Sequence, residues 1–159
     1  MLNQATREFI QSHRFDDVQQ LALQSKSCSD SEIDWQEAFT QISGRQSIEH
    51  KIPSWHNLDE IMYPLRISLE QCSSEITAQY KASLLSGNTL VDLTGGLGVD
   101  TAFLAKNFTQ VDYIERNEKL AAIATHNFRV LGLNHIRTHS TDGITFLQQM
   151  EELVSLYRY

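Results

Sequence analysis

The stretch from Thr89 to Thr101 constrains the fold most. An apolar, β-branched run (Thr89, Leu90, Val91) ends on a carboxylate, Asp92, and runs into a glycine cluster at Gly95, Gly96 and Gly98. A helix-forming segment follows. Strand, glycine turn, helix is the local layout that brings backbone N–H groups close to a small ligand. The next apolar strand, Val111 to Ile114, ends on a second acid, Glu115. That acid lies about 20 residues past the turn, where a ribose-binding acid belongs in a nucleotide-type α/β fold.

The pattern around this unit alternates. Ser74 and Thr77 open a helix with Ile76, Tyr80 and Leu84 on one face, closed by Gly87. Strands are expected over 89–93, 110–115 and, more weakly, 135–139, where only Ile136 is strongly apolar. A helix covers residues 98–107. Another starts after Asn117, carries Leu120, Ala121, Ala124, Phe128 and Leu131 on one face, and stops at Gly132. A last helix runs through Ile144, Leu147, Met150, Val154 and Tyr157. Alternation of this kind gives a parallel sheet with right-handed crossovers. The weak third strand suits a sheet edge.

The first 50 residues read as helical. Asp34 followed by Glu37 is a capping-box-like start for a helix with Trp35, Ala38, Phe39 and Ile42 on one stripe. Both prolines, Pro53 and Pro64, fall in residues 51–72 and mark a connector that packs through Trp55, Met62 and Tyr63. The expected organisation is a helical region (1–50), a connector (51–72) and an α/β domain (73–159).

Composition narrows the function. The 159 residues, 41% hydrophobic and 21% charged, suit one soluble globular domain with a modest extension. No stretch reads as a membrane span or a secretory signal, so the expected compartment is the cytoplasm. Cys28 and Cys72 are read as reduced thiols. The net charge is −7, with neither half basic, so no broad phosphate-binding footprint is visible. The six histidines lack the spacing of a metal site, and no metal is expected. No Gly-x-Ser-x-Gly element or nucleophile triad occurs.

The turn itself departs from a dinucleotide fingerprint. The third small position is Thr101 rather than glycine or alanine, and no phosphate-binding lysine follows. Asp92 would repel a pyrophosphate and attract a cationic amino group. Glu115 can accept hydrogen bonds from both hydroxyls of a ribose. Asp142, after the third strand, either contacts an adenine amino group or simply caps the last helix, as Asp-Gly pairs often do.

Three strand ends carrying Asp92, Glu115 and Asp142 resemble the class I S-adenosylmethionine-dependent methyltransferases. The resemblance implies a Rossmann-like sheet in the order 3-2-1 and S-adenosylmethionine as cofactor. Asp92, Gly96 and Gly98 match the turn that cups its methionine part, with Thr94, Gly95, Asp100 and Thr101 beside them. Thr94 stands where many members carry the first glycine. Glu115 and Arg116 match the ribose region, and Asp142 and Gly143 the adenine region. Arg116 reads equally as solvent-facing. Glu70 to Lys81, the glycine turn and the segment 126–133 further resemble bacterial RNA methyltransferases with a THUMP-like domain, related to the trimethylguanosine synthase and RNA guanine-N2 methyltransferase group. There, Ser73, Ser74 and Thr77 match a segment that closes over the cofactor; N-capping is the other reading of these residues. That family carries a proline-containing catalytic motif after strand four, which has no counterpart here. The chain is therefore expected to be the cofactor-binding part of a methyltransferase, with its catalytic residues unassigned and with RNA as a partner through regions outside it. An unpaired edge of strand one would favour self-association. The alternatives are an NAD-dependent oxidoreductase and a non-catalytic helical module or inactive remnant.

Overall fold

A computed structural model describes residues 2–25 and 32–156; Cys28 and Tyr157 lie outside them. The chain divides into two compact units, Met1–Gln71 and Cys72–Tyr159.

The first unit is helical. It contains α1 (Gln4–Ser12), α2 (Val18–Ser25), α3 (Trp35–Ile48), α4 (Pro53–His56) and α5 (Arg66–Gln71). Asp34 caps α3 as its sequence predicts, its side chain accepting from the Glu37 N–H at 3.1 Å. Residues 51–71 pack, as their apolar residues suggest: Pro53 opens α4, and Ile52, Trp55, Ile61, Tyr63 and Leu69 are all buried. Their apolar weight draws them into the core of this unit, because burying a large side chain stabilises by about 1.5–3 kcal/mol. The buried Gln41 meets the Tyr63 backbone on both sides, donating to its carbonyl at 2.8 Å and accepting from its N–H at 2.9 Å. An irregular segment is thereby satisfied by a side chain in place of a strand neighbour.

The second unit is the α/β part. Its order is α6 (Glu75–Leu84), β1 (Gly87–Asp92), α7 (Val99–Leu104), a 3-10 turn (Ala105–Asn107), β2 (Phe108–Ile114), α8 (Glu118–Val130), β3 (Ile136–His139) and α9 (Gly143–Leu156). The sheet is parallel, in the order β1-β2-β3, with Leu90 opposite Val111 and Val111 opposite Ile136. This is the α/β, Rossmann-like arrangement expected from the alternation of elements. Central β2 is the most buried strand: Val111, Tyr113 and Ile114 are inaccessible to solvent. Asn117 caps α8, accepting from the Lys119 and Leu120 N–H groups. Gly132 (φ 73°) ends it in the left-handed conformation, and the Leu133 N–H donates back to the Phe128 carbonyl at 2.8 Å. With the Gly132 N–H donating to the Arg129 carbonyl at 3.0 Å, this closes a Schellman motif.

The apolar stripe of α6 faces outward. Ile76 is 79% exposed, with Tyr80 and Leu84 exposed beside it, whereas Ala78 is fully buried. A small residue there lets α6 approach α7 closely. The helix also stops at Leu84, and Gly87 opens β1 instead of closing α6. No helix among the described residues is long and apolar enough to cross a membrane.

Tyr63 carries a buried hydroxyl with no hydrogen-bond partner among the described residues. Burial pushes its pKa up to about 12, eased by the nearby Arg45 and reinforced by Asp59. Because the folded value lies above the ordinary 10.0, its contribution is intact below pH 10 and is lost as pH rises towards about 12. Tyr63→Phe should stabilise the protein by about 1 kcal/mol at neutral pH. It should also flatten the loss of stability across that alkaline window, as read by urea melts at stepped pH.

Candidate functional site

The site is built where β1, β2 and β3 end. Continuations of both strand ladders bring these ends together: the Gly95 N–H donates to the Ile114 carbonyl at 2.9 Å and the Glu115 N–H to the His139 carbonyl at 3.1 Å. Asp92 then folds its carboxylate over the glycine turn. One oxygen accepts from the Thr94 N–H at 3.1 Å and the other from the Thr101 hydroxyl at 2.5 Å. Thr101, on α7, is fully buried. The threonine that breaks the dinucleotide pattern is therefore the hydroxyl donor that fixes Asp92. A glycine or alanine there would leave that carboxylate oxygen without its donor.

Glu115 holds the other side of the turn. Its Oε2 accepts from the Gly96 N–H at 3.0 Å and its Oε1 from the Asn117 N–H at 2.7 Å. The Tyr113 hydroxyl donates to the Gly96 carbonyl. Burial pushes the Tyr113 phenol well above its usual range, and the Glu115 and Asp92 charges push the same way. Tyr113 is thus a fixed, neutral donor.

The three glycines divide the work. A Cβ on Gly95 would run into the Tyr113 ring, and one on Gly98 would come within 2.5 Å of the Phe128 ring. These two are glycine so that the turn can pack against β2 and α8. Gly96 (φ 56°) is different: a Cβ there would meet nothing nearer than the Thr94 carbonyl oxygen at 3.9 Å. Of the two glycines expected to admit a ligand, Gly96 has the open side and Gly98 is spent on packing. Gly143 likewise serves packing, since a Cβ would lie 2.7 Å from the Leu93 carbonyl oxygen.

The remaining predicted residues fall into two groups. Asp142 caps α9, its Oδ1 accepting from the Ile144 N–H at 2.9 Å and the Thr145 N–H at 3.3 Å. Ser74 caps α6, accepting from the Thr77 N–H at 3.3 Å. Capping is thus the role visible for both, as one of their two sequence readings holds. Arg116 is exposed. Asp100 and Ser73 belong together: the Ser73 hydroxyl donates to Asp100 Oδ2 at 2.9 Å. Lys81 joins them, donating to Asp100 Oδ2 at 2.7 Å and to Ser73 Oγ at 3.0 Å.

Lys81 was not among the residues singled out by sequence. A lysine in the third turn of an amphipathic helix looks like a solvated charge, and only the packing of α6 on α7 shows otherwise. A second overlooked cluster lies on the opposite face of β2 from Tyr113. Asp112 is almost wholly buried within the apolar run Val111–Ile114. It accepts from Arg137 Nη2 at 2.6 Å and contacts His139 Nε2 at 2.7 Å. The signal was present as an acid inside a buried strand facing Arg137 and His139 in alternation on β3. With Phe146 and Met150 these residues line a cavity of about 510 Å³. Among the described residues no group of three His, Cys, Asp or Glu side chains is placed to hold a metal ion.

No known family's sequence model and no curated protein matches this chain. Solved structures do. A presumed methyltransferase of Porphyromonas gingivalis W83 superposes with a TM-score of 0.76 at 28% identity, covering 94% of this chain and 37% of that protein. The chain thus spans little more than a third of the length of that protein. An O-methyltransferase of Bacillus cereus in complex with SAH aligns with 66% of this chain and 57% of its own (22% identity, TM-score 0.45). An rRNA methylase of Streptococcus thermophilus aligns with 42% and 41% (25% identity, TM-score 0.38). The last two superpose too loosely to carry an argument. The first places this chain in the Rossmann-like methyltransferase fold.

Removing the donor at residue 101 tests the internal role of Asp92. Thr101→Val should destabilise the second unit by about 1.5–3 kcal/mol, the range for a hydrogen bond to a charged group. Thr101→Ser should recover most of that loss in the same denaturant titration.

Proposed function

We propose that this chain is the S-adenosylmethionine-binding part of a methyltransferase that acts on a base nitrogen of RNA. The observation that carries the reading is the glycine turn. Its one open face, at Gly96, lies between two fixed carboxylates, Asp92 and Glu115, on a fold shared with a presumed methyltransferase.

The residues present fit that cofactor. Asp92 and Glu115 make the mouth of the turn acidic, which favours a cationic sulfonium and ammonium over a pyrophosphate. Glu115 spends one hydrogen bond per oxygen on the turn. Each carboxylate oxygen keeps further acceptor capacity, enough for ribose hydroxyls. The open side of Gly96 lets a ligand lie against the backbone. When bound, the cofactor supplies an electrophilic methyl group that a substrate nitrogen displaces. This chain's share is alignment and exclusion of water, which lower the barrier without a proton-transfer residue. The RNA base as target rests on the motifs of residues 70–81, 92–101 and 126–133. With a net charge of −7, the chain leaves the grip on RNA phosphates to other parts of a longer protein.

Calorimetry with S-adenosylhomocysteine and with NAD tests the reading directly. Heat from the first and none from the second is the expected result; the reverse would sink it. Glu115→Ala should weaken S-adenosylhomocysteine binding at least tenfold, a loss of about 1.4 kcal/mol. An unchanged Kd would remove Glu115 from the site.

A further inference from the structure

We infer that Arg14 and Arg45, in the helical unit, form a binding site for a phosphate group, and that the carboxylate of Asp59 occupies its place. The inference concerns the first unit alone and does not depend on the proposed cofactor.

Three observations carry it. First, the charges of the cluster do not cancel. Arg45 Nη2 lies 2.9 Å from Asp59 Oδ1, and Arg14 Nη1 lies 3.6 Å from the same oxygen. Two guanidiniums share one carboxylate, which leaves a positive charge over in a chain of net charge −7. Second, Arg45 is half-used. A guanidinium offers its Nε–H and one Nη–H as a parallel pair suited to two oxygens of one anion. Asp59 reaches Arg45 through Oδ1 alone, and the buried Nε has no hydrogen-bond partner among the described residues. The buried Tyr63 hydroxyl, near enough to feel the charges of Arg45 and Asp59, has none there either. Buried donors without an acceptor are costly, and an anion with more oxygens would relieve them. Third, Asp59 is the loosely held member. It lies in the irregular segment between α4 and α5 with its side chain 55% exposed, whereas Arg45 is 12% exposed and sits on α3. A half-exposed carboxylate is readily rehydrated, so its hold on the two arginines is modest.

A phosphate matches this arrangement better than a carboxylate does. One oxygen meets Arg45 Nη2, a second meets Nε and completes the parallel pair, and a third faces Arg14, while Asp59 turns out into solvent. Arginine at both positions suits phosphate for the same geometric reason. Phe15 points to the source of the phosphate. The Arg14 guanidinium lies 4.7 Å from the centre of its ring, and the residue is 76% exposed. An exposed aromatic beside an arginine is a platform on which an unpaired base stacks. A phosphate of single-stranded RNA uses both residues, whereas a free phosphate ion uses the arginines alone. The site is one local contact, so the broad grip on RNA still falls to other parts of a longer protein. An ion pair that merely braces the segment after α4 against α3 would show the same distances, so the test removes the competing charge.

The experiment measures two probes on the full chain: a labelled oligouridylate by fluorescence anisotropy, and inorganic phosphate by calorimetry. Asp59→Asn keeps the shape and removes the charge, and should tighten oligouridylate binding at least fivefold. A brace predicts no gain. Adding Arg45→Lys to Asp59→Asn should abolish the gain, because an ammonium keeps the charge but not the paired donors. Phe15→Ala should weaken the oligouridylate at least threefold and leave phosphate unchanged. Melting each variant shows that it is folded at the temperature of the titration. Tightening of inorganic phosphate alone supports the site and assigns it to the free ion. Asp59→Asn with unchanged affinity for both probes overturns the inference. A gain that survives Arg45→Lys also overturns it, and traces the gain to the loss of a negative charge in general. None of these residues belongs to the α/β unit, so S-adenosylhomocysteine binding tests the proposed function separately.

Discussion

Two strand-end carboxylates hold the glycine turn, and the rest of the site depends on them. Asp92 grips it through Thr94 and Thr101, and Glu115 grips it through the Gly96 N–H. Glycine loses more conformational freedom on folding than any other residue, and three of the turn's residues are glycine. The turn therefore needs charged acceptors to stay in one conformation. Those same carboxylates set the electrostatics of the mouth. Fixing the backbone and, in the proposed function, favouring a cationic ligand are thus one arrangement serving two purposes.

The central strand connects this arrangement to the core. Tyr113 packs edge-on against Phe128 and donates to the Gly96 carbonyl, so one side chain of β2 touches both α8 and the turn. On the other face of β2, Asp112 ties β3 into the sheet through Arg137 and His139. A buried carboxylate is costly unless paired. Here the pairing makes a weakly apolar strand, with Ile136 as its one strong hydrophobe, into a firm sheet edge.

Much of the fold was legible in the chain itself. The order of strands and helices, the caps at Asp34 and Asn117, the stop at Gly132 and the edge position of β3 follow from local chemistry, because each depends on residues within a few positions of one another. The outward face of Ile76, Tyr80 and Leu84 did not, since periodicity shows that a helix has an apolar stripe but not what covers it. The packing of residues 51–71 was legible in Trp55 and Tyr63, but the short helices α4 and α5 were obscured, because prolines mark a break in regular structure whether or not a helix starts there.

The candidate site divides the same way. The sequence by itself determined the acids at the strand tips and the glycines between them, since residue type and spacing along a strand–turn–helix unit fix where they lie. Only the tertiary structure decided which glycine is open and which are packed, for that turns on the rings of Tyr113 and Phe128 arriving from β2 and α8. It also decided that Thr101 answers Asp92 and that Lys81 meets Asp100 and Ser73. Those partners are distant in sequence or lie on different helices, and no local rule pairs them. Only the packing of separate elements brings them within hydrogen-bonding distance, and that packing is set by side chains far apart along the chain.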